Sequence, residues 1–522
     1  MPEAEAAPQA AGAADGPVDV VVVGGGINGA GIARDLAGRG LSVVLVEQDD
    51  LAAHTSSAST KLIHGGLRYL EYYEFSLVRK ALAEREVLLR AAPHIIWPLR
   101  FVMPHDPSMR PVWLIRAGLF LYDHLARREW LPGSLTVSLS RHPAGVPLKP
   151  QFRKAFVYSD GWVDDARLVV LNAMDAAARG ARVCTRTRCT RARGKDGLWT
   201  IELEARDGRQ WTQRARALVN AAGPWAAQLL RGPVGRPETR SLRLVKGSHI
   251  VVPKVFSHDH AYIFQNADGR IIFAIPYEGD FTLIGTTDVE WSGEAAAASI
   301  DDSEVSYLCE QVSRYLARPV APGDVVWSYS GVRPLIDDES GNPAAATRDY
   351  RLELTSDAGA PLLSAWGGKI TTFRKLAEEA GDDLCRALGH RGGAWTAGVP
   401  LPGGDLSGWI RPSGRPDTDI GLFRQALARR APRLDAAMLS RWTRSYGSLV
   451  GHLLDDAGEP DLGAEVAPGL YEAELSYLRN REWARGADDV LWRRSKLGLH
   501  FTPAQRAAVA DWWRRQSADA QP

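Results

Sequence analysis

The folded part of the chain opens on "VDVVVVGGGINGAGIARDLAGRGLSVVLVEQDD", beginning near position 18. Its unbroken valine run reads as a strand buried on both faces, as in a parallel sheet. A glycine turn follows, then a helix through Ile32–Leu36, then a second valine-rich strand ending at Glu47. That order predicts a βαβ unit. Apolar residues at helical spacing predict a long amphipathic helix over about 74–91, stopped before Pro93. Residues 96–150 mix Pro, Trp and Arg and are expected to leave the first domain. "GWVDDARLVVLNAMDAAARGARVCTRTRCTRAR" predicts a helix and strand that return to it. "LWTIELEARDGRQWTQRARALVNAAGPWA" predicts a hairpin followed by a buried strand, "ALVNAAG". From 241 onward, alternating segments such as "HIVVP", "RIIFAIPYEGDFTLIGTTD" and "VVWSYSGVRPL" predict an antiparallel sheet. "PLLSAWGGKITTFRKLAEEAGDDL" predicts strand, glycine turn and helix, and Pro/Gly-rich linkage then leads into helices rich in Arg, Ala and Trp.

A length of 522 residues accommodates two or three domains. The hydrophobic share of 45% is that of an ordinary globular protein, and a net charge of +1 argues against a general nucleic-acid binder. Cys184, Cys189, Cys309 and Cys385 form no CxxC pair, so neither a metal site nor a disulfide framework is indicated, and a reducing, cytoplasmic compartment fits. The segment "MPEAEAAPQAAGAADGP" lacks the basic start and apolar stretch of a secretory signal and reads as a disordered tail over 1–17. No apolar run approaches the roughly 18 residues needed to span a bilayer, so any membrane contact is expected to be peripheral.

The first turn carries chemistry. Gly24-x-Gly26-x-x-Gly29 follows a strand and opens a helix, and Glu47 ends the next strand. Gly24 suits a tight turn, Gly26 lets backbone approach a diphosphate, and Gly29 lets helix pack closely on strand. The helix N-terminus offers free N–H groups to phosphates, and Glu47 can accept from a ribose diol. The motif alone does not choose between NAD and FAD. The small-residue turn in "ALVNAAGPWA" and the late "GGKITTF" helix start favour FAD, because a helix N-terminus can stabilise charge on a reduced flavin. An ordinary helix start is the competing reading of each.

"KLIHGGLRYLE" at 61–71 puts a glycine pair between His64 and Arg68. Read alone, it is a structural turn. Together with "GGGINGAGIARDLAGRGLSVVLVE", "TSSASTKLIHGGLRYLE", "YSDGWVDDARLVV", "LVNAAGPW", "KGSHIVVP", "IGTTDVE", "YSGVRPL" and "GGKITTFRKLAE", it resembles the FAD-dependent, respiratory glycerol-3-phosphate dehydrogenase family over roughly 18–515.

The resemblance implies an α/β plus α+β architecture with a glutathione-reductase/amino-acid-oxidase-type FAD-binding Rossmann domain in segments 18–95, 151–240 and 325–387. It further implies an antiparallel-sheet substrate domain at 96–150 and 241–324, and an all-helical C-terminal cap at 388–522. It implies oxidation of sn-glycerol 3-phosphate to dihydroxyacetone phosphate by hydride transfer from C2 to flavin N5. Electrons then pass to a membrane quinone, in a homodimer held peripherally on the inner face of the cell membrane. Gly65 and Gly66 would let backbone pass the flavin ring, placing His64 and Arg68 on its substrate side. Arg68, Tyr69, Arg333 and Lys369 would hold the phosphate, and Arg333 would also meet alkoxide charge. His249 is the favoured base, with His64 assisting, and a hydrogen-bonded core histidine is the bland reading of each. Cofactor contacts are expected from Gly24, Gly26, Asn28, Gly29, Glu47, Ser56, Ser57, Ser59, Lys61, Gly223, Gly368 and Thr371.

For membrane contact, the segment from Arg110 to 130 and the helix from Thr371 with Arg374 and Lys375 are candidates, with a core-facing helix as the alternative for both. Related oxidases that release hydrogen peroxide carry an insertion before the GGK motif. Here 36 residues separate Arg333 from Lys369, which disfavours that activity. An amino-acid oxidase would want a carboxylate site instead. A flavin-binding redox sensor without catalysis is the reading from a different class.

Overall fold

The computed structural model describes residues 16–107, 109–266, 268–285, 287–337, 349–454 and 461–518. Most of the expected tail, and residues 338–348 between Arg333 and Lys369, lie outside the described residues.

The valine run forms strand β1 (Val18–Val23), followed by helix α1 (Ile27–Gly38) and strand β2 (Val43–Val46). Val20, Val21 and Val22 are fully buried, as a strand covered on both faces requires. Farther along come helices α2 (Phe75–Ala91) and α3 (Val112–His124), strand β3 (Gln210–Asn220), strand β4 (Leu242–Pro253), strand β5 (Trp327–Ile336) and helix α4 (Phe373–Leu388).

Two large sheets organise the molecule. The first runs in the order 351–357, 360–366, β3, β1, β2, 182–184, with a 187–205 hairpin off β3. Its centre is parallel, with Val20 beside Ala217 on one side and Val43 on the other. Helix α1 packs against this sheet between 165–178 and α4. The second sheet is mostly antiparallel and carries β4 and 281–285, 271–277, 261–265, 96–105, 154–163 and 62–63 in that order, with β5 on the far side of β4.

Strand 154–163 therefore belongs to the second sheet, outside the segments expected for it, while β5, whose alternation already read as part of that sheet, crosses the boundary expected at 325. Lys154–Val163 is buried over nearly its whole length and pairs with 96–105 (Phe101 opposite Tyr158). Burial on both faces removes the alternation that would mark it as antiparallel, so its sequence reads like a return to the first domain. Beyond 388 the chain is helical at 416–430, 436–446, 472–481 and 503–518, apart from a small ribbon of Glu465–Ala467 with Leu470–Tyr471. Trp442, Tyr446 and Leu475 of this part share one continuous apolar core with Leu168 and Val169 beneath the first sheet. Among the described residues, no helix is long and apolar enough to cross a membrane.

Candidate active site

A cavity of about 510 Å³ opens at the C-terminal ends of β1 and β2 and extends to the face of the second sheet. That placement is where open α/β sheets receive their ligands. At its inner end Gly24 takes φ +114°, and a Cβ there would sit 2.4 Å from the Ala221 carbonyl oxygen. A Cβ on Gly29 would meet Gly24 O at 1.8 Å, so Gly29 serves the turn by close packing and does not itself line the cavity. Gly25 N donates to Glu47 Oε2 (2.6 Å), Asp49 N donates to Oε1 (2.8 Å), and Ile27 N donates to Ser56 Oγ (3.0 Å). Burial pushes the Glu47 carboxyl up, against the pull of those two amides. A carboxylate offers about four lone-pair sites, so two remain for a diol.

Asn28 joins the first glycine turn to the last. Its Nδ2 donates to Gly367 O (3.1 Å) across most of the chain, and Gly368 follows at φ +104°. Asn28 Oδ1 is buried without a hydrogen-bond partner among the described residues. Gly223, Thr371 and Ser59 also border the cavity.

The outer end is built by the second sheet. His249 on β4 is 2% exposed, and its Nε2 lies 3.0 Å from Thr60 Oγ1. Its ring stacks on Tyr329 of β5, centroids 4.8 Å apart and 16° from parallel, and Tyr329 donates its hydroxyl to Ser59 O (2.9 Å). Burial, with Lys61 and Arg333 adding to it, holds the imidazole well below its ordinary pKa, so it is neutral at pH 7. The β4 backbone is fixed from behind: Ser248 N donates to Thr287 Oγ1 (2.9 Å), Ser248 Oγ to Glu304 Oε1 (3.0 Å), and Lys246 pairs with Glu304 (2.8 Å). Arg333, also on β5, donates to Thr287 O (2.9 Å) and pairs with Asp288 (2.7 Å). Opposite stand His64, whose N–H donates to Thr371 Oγ1 (3.2 Å), and Lys369, whose Nζ sits 3.8 Å over the Tyr69 ring.

Several of the expected residues stand away from the cavity lining. Lys61 is buried against Asp165 (2.7 Å) and Ser57 O (3.0 Å) and does not border the cavity, so its charge is spent inside the protein. Ser57 turns its hydroxyl to His54 O (3.2 Å). Arg68 is half-buried and does not line the cavity. The glycine pair answers to protein neighbours: Gly65 N donates to Tyr122 OH (2.9 Å), and a Cβ there would meet Leu82 at 2.5 Å. Gly66, at φ +77°, leaves the space that the Tyr69 ring fills, 2.1 Å from where its Cβ would be. Residues that the sequence did not single out are Thr60, Tyr329, Asp165 and Asp288. Tyr329 lay inside a quoted motif, but nothing in a linear sequence pairs it with His249.

A family model described as FAD dependent oxidoreductase matches residues 19–374. A second, described as the C-terminal domain of alpha-glycerophosphate oxidase, matches residues 394–512. A curated glycerol-3-phosphate dehydrogenase of Pseudomonas aeruginosa is 54% identical over 95% of this chain and 94% of its own. The chain belongs to the FAD-dependent glycerol-3-phosphate dehydrogenase family. Within that family, a D-erythritol 1-phosphate dehydrogenase of Brucella abortus is 51% identical over 95% of this chain and 97% of its own. A glycerol-3-phosphate dehydrogenase of Bacillus halodurans, solved in complex with FAD, superposes with a TM-score of 0.76 at 26% identity, covering 97% of this chain and 92% of that one.

The residues present fit the FAD of this family. The Gly24 and Gly368 turns line the cavity, the unmatched Asn28 Oδ1 lies beside Gly368, and Glu47 keeps acceptor capacity at the far end. Gly24, Gly26, Asn28, Glu47 and Ser56 would hold the nucleotide end, and Gly368 and Thr371 the end nearer His64.

Proposed function

We propose that this chain oxidises sn-glycerol 3-phosphate to dihydroxyacetone phosphate and delivers the electrons to a membrane quinone. The observation that carries the reading is a neutral, buried His249 sharing one cavity with two cations, Arg333 and Lys369. A dianionic phosphate matches the cations, and a neutral imidazole suits removal of a hydroxyl proton near pH 7. Bound FAD supplies the acceptor for the C2 hydride. His249 takes the hydroxyl proton at Nδ1, the ring atom that has no partner among the described residues while Thr60 engages Nε2. Tyr329 and Thr60 hold the ring in place, and Arg333, oriented by Asp288 and Thr287 O, steadies negative charge developing at C2 oxygen. Lys369, braced on Tyr69, meets the phosphate. His64 borders the cavity from the opposite side.

The membrane partner is supported by α3. Trp113, Leu114, Phe120 and Leu121 share one helical face and are exposed, Trp113 by 70% and Phe120 by 60%. Arg110 precedes this face, and Arg79, His124 and Arg127 border a basic depression at its end. Exposed aromatics rimmed by cations suit a lipid interface with anionic headgroups. The other candidate helix is core-facing: Arg374 is buried in a two-pronged pair with Glu84 (2.6 and 2.7 Å).

The test is to mix the FAD-loaded protein anaerobically with glycerol 3-phosphate and follow the flavin absorbance. Rapid bleaching, reversed faster by a soluble quinone than by air, is expected. Reversal chiefly by oxygen would make the chain an oxidase, and no bleaching would remove the phosphate-pocket argument. A four-carbon polyol phosphate is the second reading, since the relative named for D-erythritol 1-phosphate is 51% identical. Faster bleaching by that substrate would establish it. His249→Gln should lower the bleaching rate by about 10²–10⁴ while FAD remains bound.

A further inference from the structure

The C-terminal domain grips the cofactor crevice at Asp50. Asp50 lies just beyond Glu47, at the end of β2, and is 2% exposed. Its Oδ2 accepts from Arg494 Nη1 (2.5 Å) and Arg493 Nε (2.6 Å), and its Oδ1 from Arg494 Nη2 (2.8 Å). The Arg494 side chain is wholly buried and also donates to Glu482 O. Both arginines come from the 489–494 turn of the C-terminal domain. From the same turn Asp489 pairs with Arg186 (2.5 Å), whose own N–H donates to Asp49 O (2.8 Å).

This grip falls on a loop that is itself tied to the glycine turn. Glu47 holds Gly25 N and Asp49 N, and Ala52, at φ +59°, donates its N–H to Gly25 O (3.2 Å). Three charge-assisted bonds from the C-terminal domain thus set a six-residue loop, 47–52, whose Glu47, Gln48 and Ala52 line the cavity wall. Burial would push the Asp50 carboxyl up, but Arg494 and Arg493 outweigh it and hold it below its ordinary value, so the charge stays in place.

We propose that Arg494, assisted by Arg493, is a positioning residue of the cofactor site, so that FAD retention and docking of the C-terminal domain are one linked equilibrium. Linkage is reciprocal: loosening the clamp weakens FAD binding, and bound FAD strengthens the clamp. A bond that merely glued two domains together would lower thermal stability and leave FAD affinity alone.

The test uses the full-length holoenzyme and Arg494→Lys, which keeps the charge and loses the planar fork. FAD release is followed by flavin fluorescence after dilution, and protection of the C-terminal domain by limited proteolysis with and without added FAD. Release about tenfold faster is expected, the loss of one charge-assisted hydrogen bond, together with restored protease protection when FAD is added in excess. A lowered melting temperature with wild-type FAD release would overturn the proposal. If Arg494→Lys does not fold, Arg493→Ala, which removes one of the three bonds to Asp50 and the pair with Asp489, decides. An intermediate acceleration supports the clamp, and wild-type release in a folded Arg493→Ala overturns it.

Discussion

Two glycine-rich stretches near the start of the chain look alike but border different things. At 24–29 the turn itself lines the cavity, through Gly24 and Gly26, while a side chain there would meet Ala221, Glu47, Ser56 and the turn's own backbone. At 65–66 the glycines clear space for the protein's own Tyr122, Leu82 and Tyr69. The first stretch comes with a preceding strand, a following helix and an acid at the next strand end, and those companions mark a ligand site. The second comes with a histidine, an arginine and a tyrosine, which suggest chemistry but do not say which of them the glycines admit. A glycine motif therefore points to a ligand only through its companions.

The contrast can be broken by substitution. Gly24→Ala should do most damage, since left-handed strain and a clash with Ala221 O together cost roughly 3 kcal/mol of stability and displace the turn that lines the cavity, so bound flavin falls with it. Flavin content of the purified protein reads it, and full occupancy would mean the turn does not set the cofactor site. Gly65→Ala should instead lower stability by about 1–3 kcal/mol through overpacking against Leu82 and Tyr122, with FAD still bound. Denaturant unfolding of the holoenzyme measures this, and loss of flavin without loss of stability would reverse the assignment. Tyr122→Phe should cost about 1 kcal/mol, because it strips a donor from Asp160, which is buried with Arg85 (2.7 Å) and otherwise accepts the tyrosine hydroxyl (2.8 Å).

The smallest effect concerns His94, wedged between Gly403 and Gly447, where a third pair of glycines serves only packing. Burial, then Arg167 and Arg444, lower its pKa to about 3. The unfolded chain therefore binds a proton below pH 6.5 that the folded one refuses, so this stability is complete above 6.5 and lost as pH falls toward 3. Between pH 7 and 6 the loss should stay under about 1 kcal/mol, equal in the presence and absence of FAD. A loss that FAD abolishes would make His94 part of the cofactor site.

How much of this was legible follows from which interactions are local. The βαβ unit, α2 and the alternation of 271–285 announce themselves through periodicity within a few residues. Strand 154–163 does not, because it is buried on both faces and its partner lies about sixty residues earlier. The dinucleotide turn was readable because its strand, helix and acid adjoin it. His249, Arg333 and Lys369 came from motifs, and the structure gathers them in one cavity. What stayed hidden were counter-charges: Asp165 claims Lys61 and Asp288 claims part of Arg333, and neither pairing leaves a mark on sequence spacing.

The hydrogen bond from Asn28 to Gly367 also bears on how the protein is made. Its two ends are separated by 339 residues, so one wall of the crevice must await the other while the intervening strands emerge from the ribosome. The Asp50 clamp waits longer still, for Arg494 near the C-terminus. On the linkage proposed above, firm cofactor retention is accordingly expected only after residue 494 has left the ribosome.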